Sequence, residues 1–266
     1  MKYNLVRHEF RLTARSWLIG GIVILFFMAI FVSYTDIIIG NTDLIRVMES
    51  MPEALLKSFG FEFEMLNTFE GWMASEPFTF FSLLLSVFSA VWASVTLSKE
   101  QDQLTGEFLF SLPYSRVSIF LSKVVTHWLQ VTSIYILSFA VVMQLGYLMS
   151  EINHLDQLFL LFTGGYFVSL AYAGIGFVLT VLISSERAAM SLGIGIALVS
   201  FLLKMLSTLS EEINWLANFS LYQLFDNKEI LESTTLSISG ICISLGIYVL
   251  GILLGLILFK IKKIAV

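Results

Sequence analysis

Charge is scarce in this sequence, and proline is scarcer still. Only 13% of the 266 residues are charged and three are proline, whereas 57% are hydrophobic. Soluble domains carry about 25% charged and roughly 45–50% apolar residues. A water-soluble fold of this length would have to expose much of its apolar surface, whereas a bilayer solvates it. The shortage of proline, with 24 phenylalanines present, favours long lipid-facing helices over a loop-rich sheet protein. The single cysteine, Cys242, sits in an apolar run, which excludes an intrachain disulfide and a cysteine metal site. It reads as a small packed residue.

Chemical motifs are missing as well. There is no G-x-x-x-x-G-K-[ST] loop to cradle a nucleotide's phosphates, and no G-x-S-x-G. His8, His127 and His154 lie in different segments without ligand spacing such as H-E-x-x-H, so they read as single interfacial or packed histidines. No carboxylate falls in the middle of a long apolar stretch, where an ion-coupled carrier or an intramembrane enzyme would need one. Asp36 and Lys204 fall near stretch ends, and Lys204 is expected to snorkel to the surface. The expectation is a non-enzymatic chain without cofactor, metal or nucleic-acid partner, driven by something bound outside the bilayer.

What the sequence has is apolar length. A helical span needs about 20 mostly apolar residues. Six stretches qualify, at 17–39, 77–98, 120–149, 158–183, 189–209 and 236–259. The fold class is therefore all-α, a polytopic membrane protein. The first stretch is too long for a signal-peptide core and lacks a small-residue cleavage site, so it reads as a retained span. No repeat or linker divides the chain, and one transmembrane domain is expected over 1–266.

Basic residues set the orientation. Lys2, Arg7, Arg11 and Arg15 precede the first stretch; Lys99, Arg116 and Lys123 mark the second connection; Arg187 marks the fourth; Lys260, Lys262 and Lys263 follow the last. Only Arg46, Lys57 and Lys228 fall on the other side, eleven against three, which places both termini in the cytoplasm of a multi-pass cell-membrane protein. The opposite loops are acidic and carry most of the net charge of -5.

Three patterns outside or within the spans stand out. Residues 2–16 form a basic amphipathic segment, with Arg7, Arg11 and Arg15 on one stripe and Tyr3, Val6, Phe10 and Trp17 beside it. This predicts an interfacial helix that meets the bilayer and offers a docking surface to a cytoplasmic partner. On the outer side, Ser50-Met51-Pro52-Glu53 resembles a capping box that would start a short helix to Phe59, and Trp215 to Phe225 reads as a surface or re-entrant piece. Within the second span, Ser82, Ser86, Ala90, Ser94 and Ser98 recur every four residues. Such small residues admit close helix packing, and the face is a candidate pathway or dimer seam.

The second connection is unlike the other loops. It is polar, then amphipathic, then turns at Leu112-Pro113-Tyr114-Ser115, with Ser115 in position to cap the next helix. Here the chain resembles the permeases of type-2 ATP-binding-cassette (ABC) transporters, whose second connection reads E, then G-T-x-E, then S-x-P-x-S-R, then Lys. Glu100, Thr105, Glu107, Ser111, Pro113, Ser115, Arg116 and Lys123 occupy those places. Leu104 stands where the family has glycine, and Gly106 follows instead. The resemblance implies a permease subunit of an exporter, a cytoplasmic ABC ATPase as partner, and pairing with a second copy or a related permease. It also implies a coupling helix around 100–116, in which Glu100, Glu107 and Arg116 contact the ATPase and Pro113 fixes the corner. The competing reading is an accessory or immunity-type membrane protein that binds a peptide or lipid-like ligand without moving it.

Overall fold

The computed structural model describes residues 3–39, 41, 46–47, 50–51, 66–103 and 114–262. Every regular element among them is helical. Six helical stretches are long and apolar enough to cross a membrane. They contain α1 (Tyr3–Ser33), α4 (Glu76–Asp102), α5 (Arg116–Met149), α6 (Leu155–Leu182), α7 (Glu186–Ser207) and α9 (Ile238–Ile261). Short helices α2 (Thr35–Ile38), α3 (Phe69–Ala74) and α8 (Asn227–Ser233) lie at the end opposite the termini. With them are 3-10 segments at Glu211–Phe219 and Leu221–Leu224. The expected short helix after Met51 and the connection at 104–113 lie outside the described residues.

Two spans form the centre. The apolar windows of α4 and α6 are 61% and 67% buried, against 17–28% for the other four. Their own residues explain this. At a steep lattice of small residues, backbones approach too closely for side chains. A Cβ on Gly176 of α6 would lie 2.7 Å from the Ala90 carbonyl oxygen of α4. A Cβ on Gly174 would lie 2.6 Å from the Ile247 carbonyl oxygen of α9. Only glycine fits there, and helix association in lipid relies on this kind of contact. The outer spans keep one stripe inward and present apolar side chains outward, such as Ile22 and Phe26 on α1 and Leu250 and Leu254 on α9. In a bilayer those faces meet lipid.

The small-residue stripe of α4 packs within the chain. Ser82, Ser86, Ala90 and Ser94 are all buried, facing α6 and α7 of the same chain. Gly165 lies against Ser82, and Gly193 of α7 against Ser94 and Ala90. Complementary small residues thus cover the stripe within the chain.

The amphipathic N-terminal segment is helical. It is the first part of one continuous helix, Tyr3–Ser33. Arg7, Arg11 and Arg15 are exposed and Phe10 is half-buried, its ring centre 5.3 Å from that of Trp17 at an interplanar angle of 56°. The opposite stripe buries Leu5, Val6 and Glu9. Lys204 does not simply snorkel: its Nζ donates to the Tyr222 carbonyl oxygen at 2.9 Å, pinning the 3-10 segment to α7.

Candidate functional site

A buried ion triad occupies the end of the bundle that holds both termini. Lys123 of α5 has no exposed side-chain surface, and its Nζ lies 2.8 Å from Glu9 Oε1 of α1 and 2.5 Å from Glu100 Oε1 of α4. One ammonium therefore binds three helices together. Local sequence puts each group in place. Ser115 accepts a hydrogen bond from the Ser118 amide at 3.2 Å and starts α5, so Lys123 emerges two turns later on its buried face. Thr13, one turn after Glu9, donates to the Glu9 carbonyl oxygen at 2.9 Å and accepts from Gln130 Nε2 at 2.7 Å. The Thr126 hydroxyl adds a bond to the Val6 carbonyl oxygen at 3.3 Å. The α1–α5 contact is thus a polar ladder that ends in an ion pair.

The ends of the second connection join the same lattice. Before it, Asp102 Oδ2 accepts from the Glu186 amide at 3.2 Å, which ties α4 to the first turn of α7. Gln101 Oε1 accepts from Lys262 Nζ at 2.9 Å, and that ammonium also donates to the Val181 carbonyl oxygen of α6 at 2.5 Å. After it, Arg116 Nη1 donates to the carbonyl oxygens of Phe259, Lys260 and Lys262 at 3.1, 3.3 and 2.9 Å. A guanidinium there satisfies the carbonyls at the C-terminus of α9 and complements its dipole. The described ends of this connection, 100–103 and 114–116, are therefore tied into all six spans. Desolvation lowers the Lys262 pKa from its ordinary value, as expected of an ammonium drawn against the protein surface.

Of the residues singled out in the sequence, the structure brings Glu100, Ser115, Arg116 and Lys123 to this lattice. Glu100 and Arg116 take partners within the chain at the distances above. Thr105, Glu107, Ser111 and Pro113 lie outside the described residues. Glu9 was not singled out. Its signal was present: it is the one acid within the basic N-terminal segment, and it shares its helix stripe with Leu5, Val6 and Thr13 rather than with the arginines. Among the described residues no cluster of three His, Cys, Asp or Glu is placed to hold a metal ion.

An all-helical chain with six membrane-crossing helices and a charged lattice at one end belongs to the class of polytopic membrane proteins. A family model described as ABC-2 family transporter protein matches residues 3–264, and the chain belongs to that family. It is accordingly a multi-pass membrane subunit of an ABC transporter, of the kind that pairs with an ABC ATPase. No curated protein matches the chain.

Proposed function

We propose that this subunit hydrolyses no ATP itself and converts the closing of a separate cytoplasmic ATPase into export of a substrate. In this reading both termini are cytoplasmic, residues 100–116 receive the push, and two permease chains, identical or related, share the pathway. The observation that carries the proposal is the joining of all six spans to the two ends of that one connection. A displacement of the connection pulls on Glu100 and Arg116. Through Lys123 it reaches α1 and α5, through Asp102 it reaches α7, and through Arg116 and Lys262 it reaches α9 and α6.

Ion pairs suit this task. Charges in a water-poor setting are costly to separate singly but exchange partners when helices shift together. The test is reconstitution. The purified chain alone should show no ATP hydrolysis, and an ATPase subunit should co-purify with it and lose its association when Glu107 and Arg116 are both changed to alanine. ATP turnover by the isolated chain, or undiminished association of the double variant, would defeat the reading.

A further inference from the structure

At the end opposite the termini, α4, α6 and α7 meet α8 and the second 3-10 segment around a cavity of about 30 Å³. That is room for one small ion, with a water beside it at most. Much of the wall is apolar, including the rings of Phe78, Phe201 and Phe225. Among the described residues one charged side chain lines it, Lys204 of α7, and no carboxylate does. The lining therefore carries a single positive charge.

That charge has no counter-ion in contact. An ammonium has three donors. Among the described residues Lys204 Nζ uses one, to the carbonyl oxygen of Tyr222, which lines the same cavity. Asp226 lies within electrostatic reach but forms no ion pair with Lys204. Its exposed side chain caps α8, Oδ1 accepting from the Lys228 and Glu229 amides at 2.9 and 3.4 Å. Ser82 of α4 adds a second unused donor to the wall. It is 6% exposed, and its hydroxyl makes no hydrogen bond among the described residues. The Thr79 hydroxyl beside it is already donated, to the Ser75 carbonyl oxygen at 2.9 Å.

The geometry points to a binding site for a monatomic anion, a halide, in the cavity that Lys204 and Ser82 line. A metal cation would meet the ammonium and find no carboxylate. An organic anion is too large for the volume. Water fits, but it brings no charge to set against the lysine, and buried charges are held by pairing. A halide accepts from the ammonium and the serine hydroxyl together, which joins α7 to α4 beneath the 3-10 segment. The inference stands apart from the permease reading, since it concerns the ion and this chain alone.

The test is chloride magnetic resonance on the full chain in phosphatidylcholine nanodiscs, with sodium gluconate holding the ionic strength constant. Chloride that exchanges with a protein site gives a broadened line, and the parent chain should show broadening that saturates as chloride is raised. Bromide should displace it, whereas gluconate, too large for the cavity, should not. Lys204→Met should abolish the saturable part. Ser82→Ala removes one hydrogen bond to a charged partner and should raise the half-saturating chloride concentration by about tenfold. Should Lys204→Met fail to fold, Ser82→Ala, which deletes a single hydroxyl, carries the test. Absence of saturable broadening in the parent overturns the inference, because chloride then meets only surface cations. So does saturable broadening that both variants leave unaltered. The titration contains no ATPase, so its failure would leave the permease reading untouched.

Discussion

At the end holding the termini, backbone contacts of Arg116, Lys262 and Asp102 surround one cation that meets carboxylates from two other helices; at the far end, polar side chains mostly meet backbone. Lys123 bridges Glu9 and Glu100. Across the membrane, Glu70 Oε1 accepts from the Asn153 and His154 amides at 2.6 and 2.7 Å, Asn227 Nδ2 donates to the Ala74 carbonyl oxygen at 2.7 Å, and Gln157 Nε2 donates to the Leu231 carbonyl oxygen at 2.9 Å. Backbone partners move only when a helix moves, so the far end reads as a closed seal. Side-chain ion pairs can change partner while their helices keep their shape. The difference teaches where input enters: at the end whose contacts can be re-paired.

The comparison can be broken most forcefully at its charged side. Lys123→Met removes the ammonium that Glu9 and Glu100 share. Breaking a buried pair in this way costs about 3–5 kcal/mol. A thermal unfolding scan of the purified variant should show a large drop in midpoint and a reduced yield of inserted protein. A midpoint within a degree or two of the parent would mean that the triad is solvated.

A smaller effect belongs to the far end. Glu70→Ala removes the acceptor for two amides at the start of α6, at a cost of about 1–3 kcal/mol. Glu70→Gln keeps an acceptor and should recover much of the loss in the same scan. ATPase association should survive in both, which separates the seal from the input end. The smallest effect is expected at Lys204, whose ammonium donates to the Tyr222 carbonyl oxygen at 2.9 Å. Lys204→Met replaces the ammonium by an apolar side chain of similar length and should shift stability by about 1 kcal/mol or less. A loss as large as that of Lys123→Met would show that the two ends are held together alike.

Much of this was legible in the sequence, for reasons that differ between residues. The six spans were, because apolar length is a local property; the helices extend beyond several of the expected stretches, as at Arg116–Met149 against 120–149, since polar turns add helix without adding hydropathy. The Ser115 cap was legible, being set by its own neighbours. The small stripe of α4 was visible as a packing face, but its partners were not, because Gly165, Gly176 and Gly193 are distant in sequence. Lys123 and Glu100 stood out by family pattern, while their mutual contact and the third member, Glu9, needed α1 to be folded against α5. Lys204 was read by its distance from a span end, which carries no knowledge of the Tyr222 carbonyl.

The central claim is that the triad carries motion and does not merely hold the fold. The most direct measurement replaces it wholesale. The triple variant Glu9→Leu, Glu100→Leu and Lys123→Met removes the three charges of the triad at once and leaves Lys99 with Glu186, so its stability should return to within about 2 kcal/mol of the parent. Spin labels at Leu148 and Trp215, both exposed at the far end, would report the response there in complex with the ATPase. The account predicts that ATP changes the label distance in the parent and leaves it unchanged in the stable triple variant. An equal change in both would contradict it.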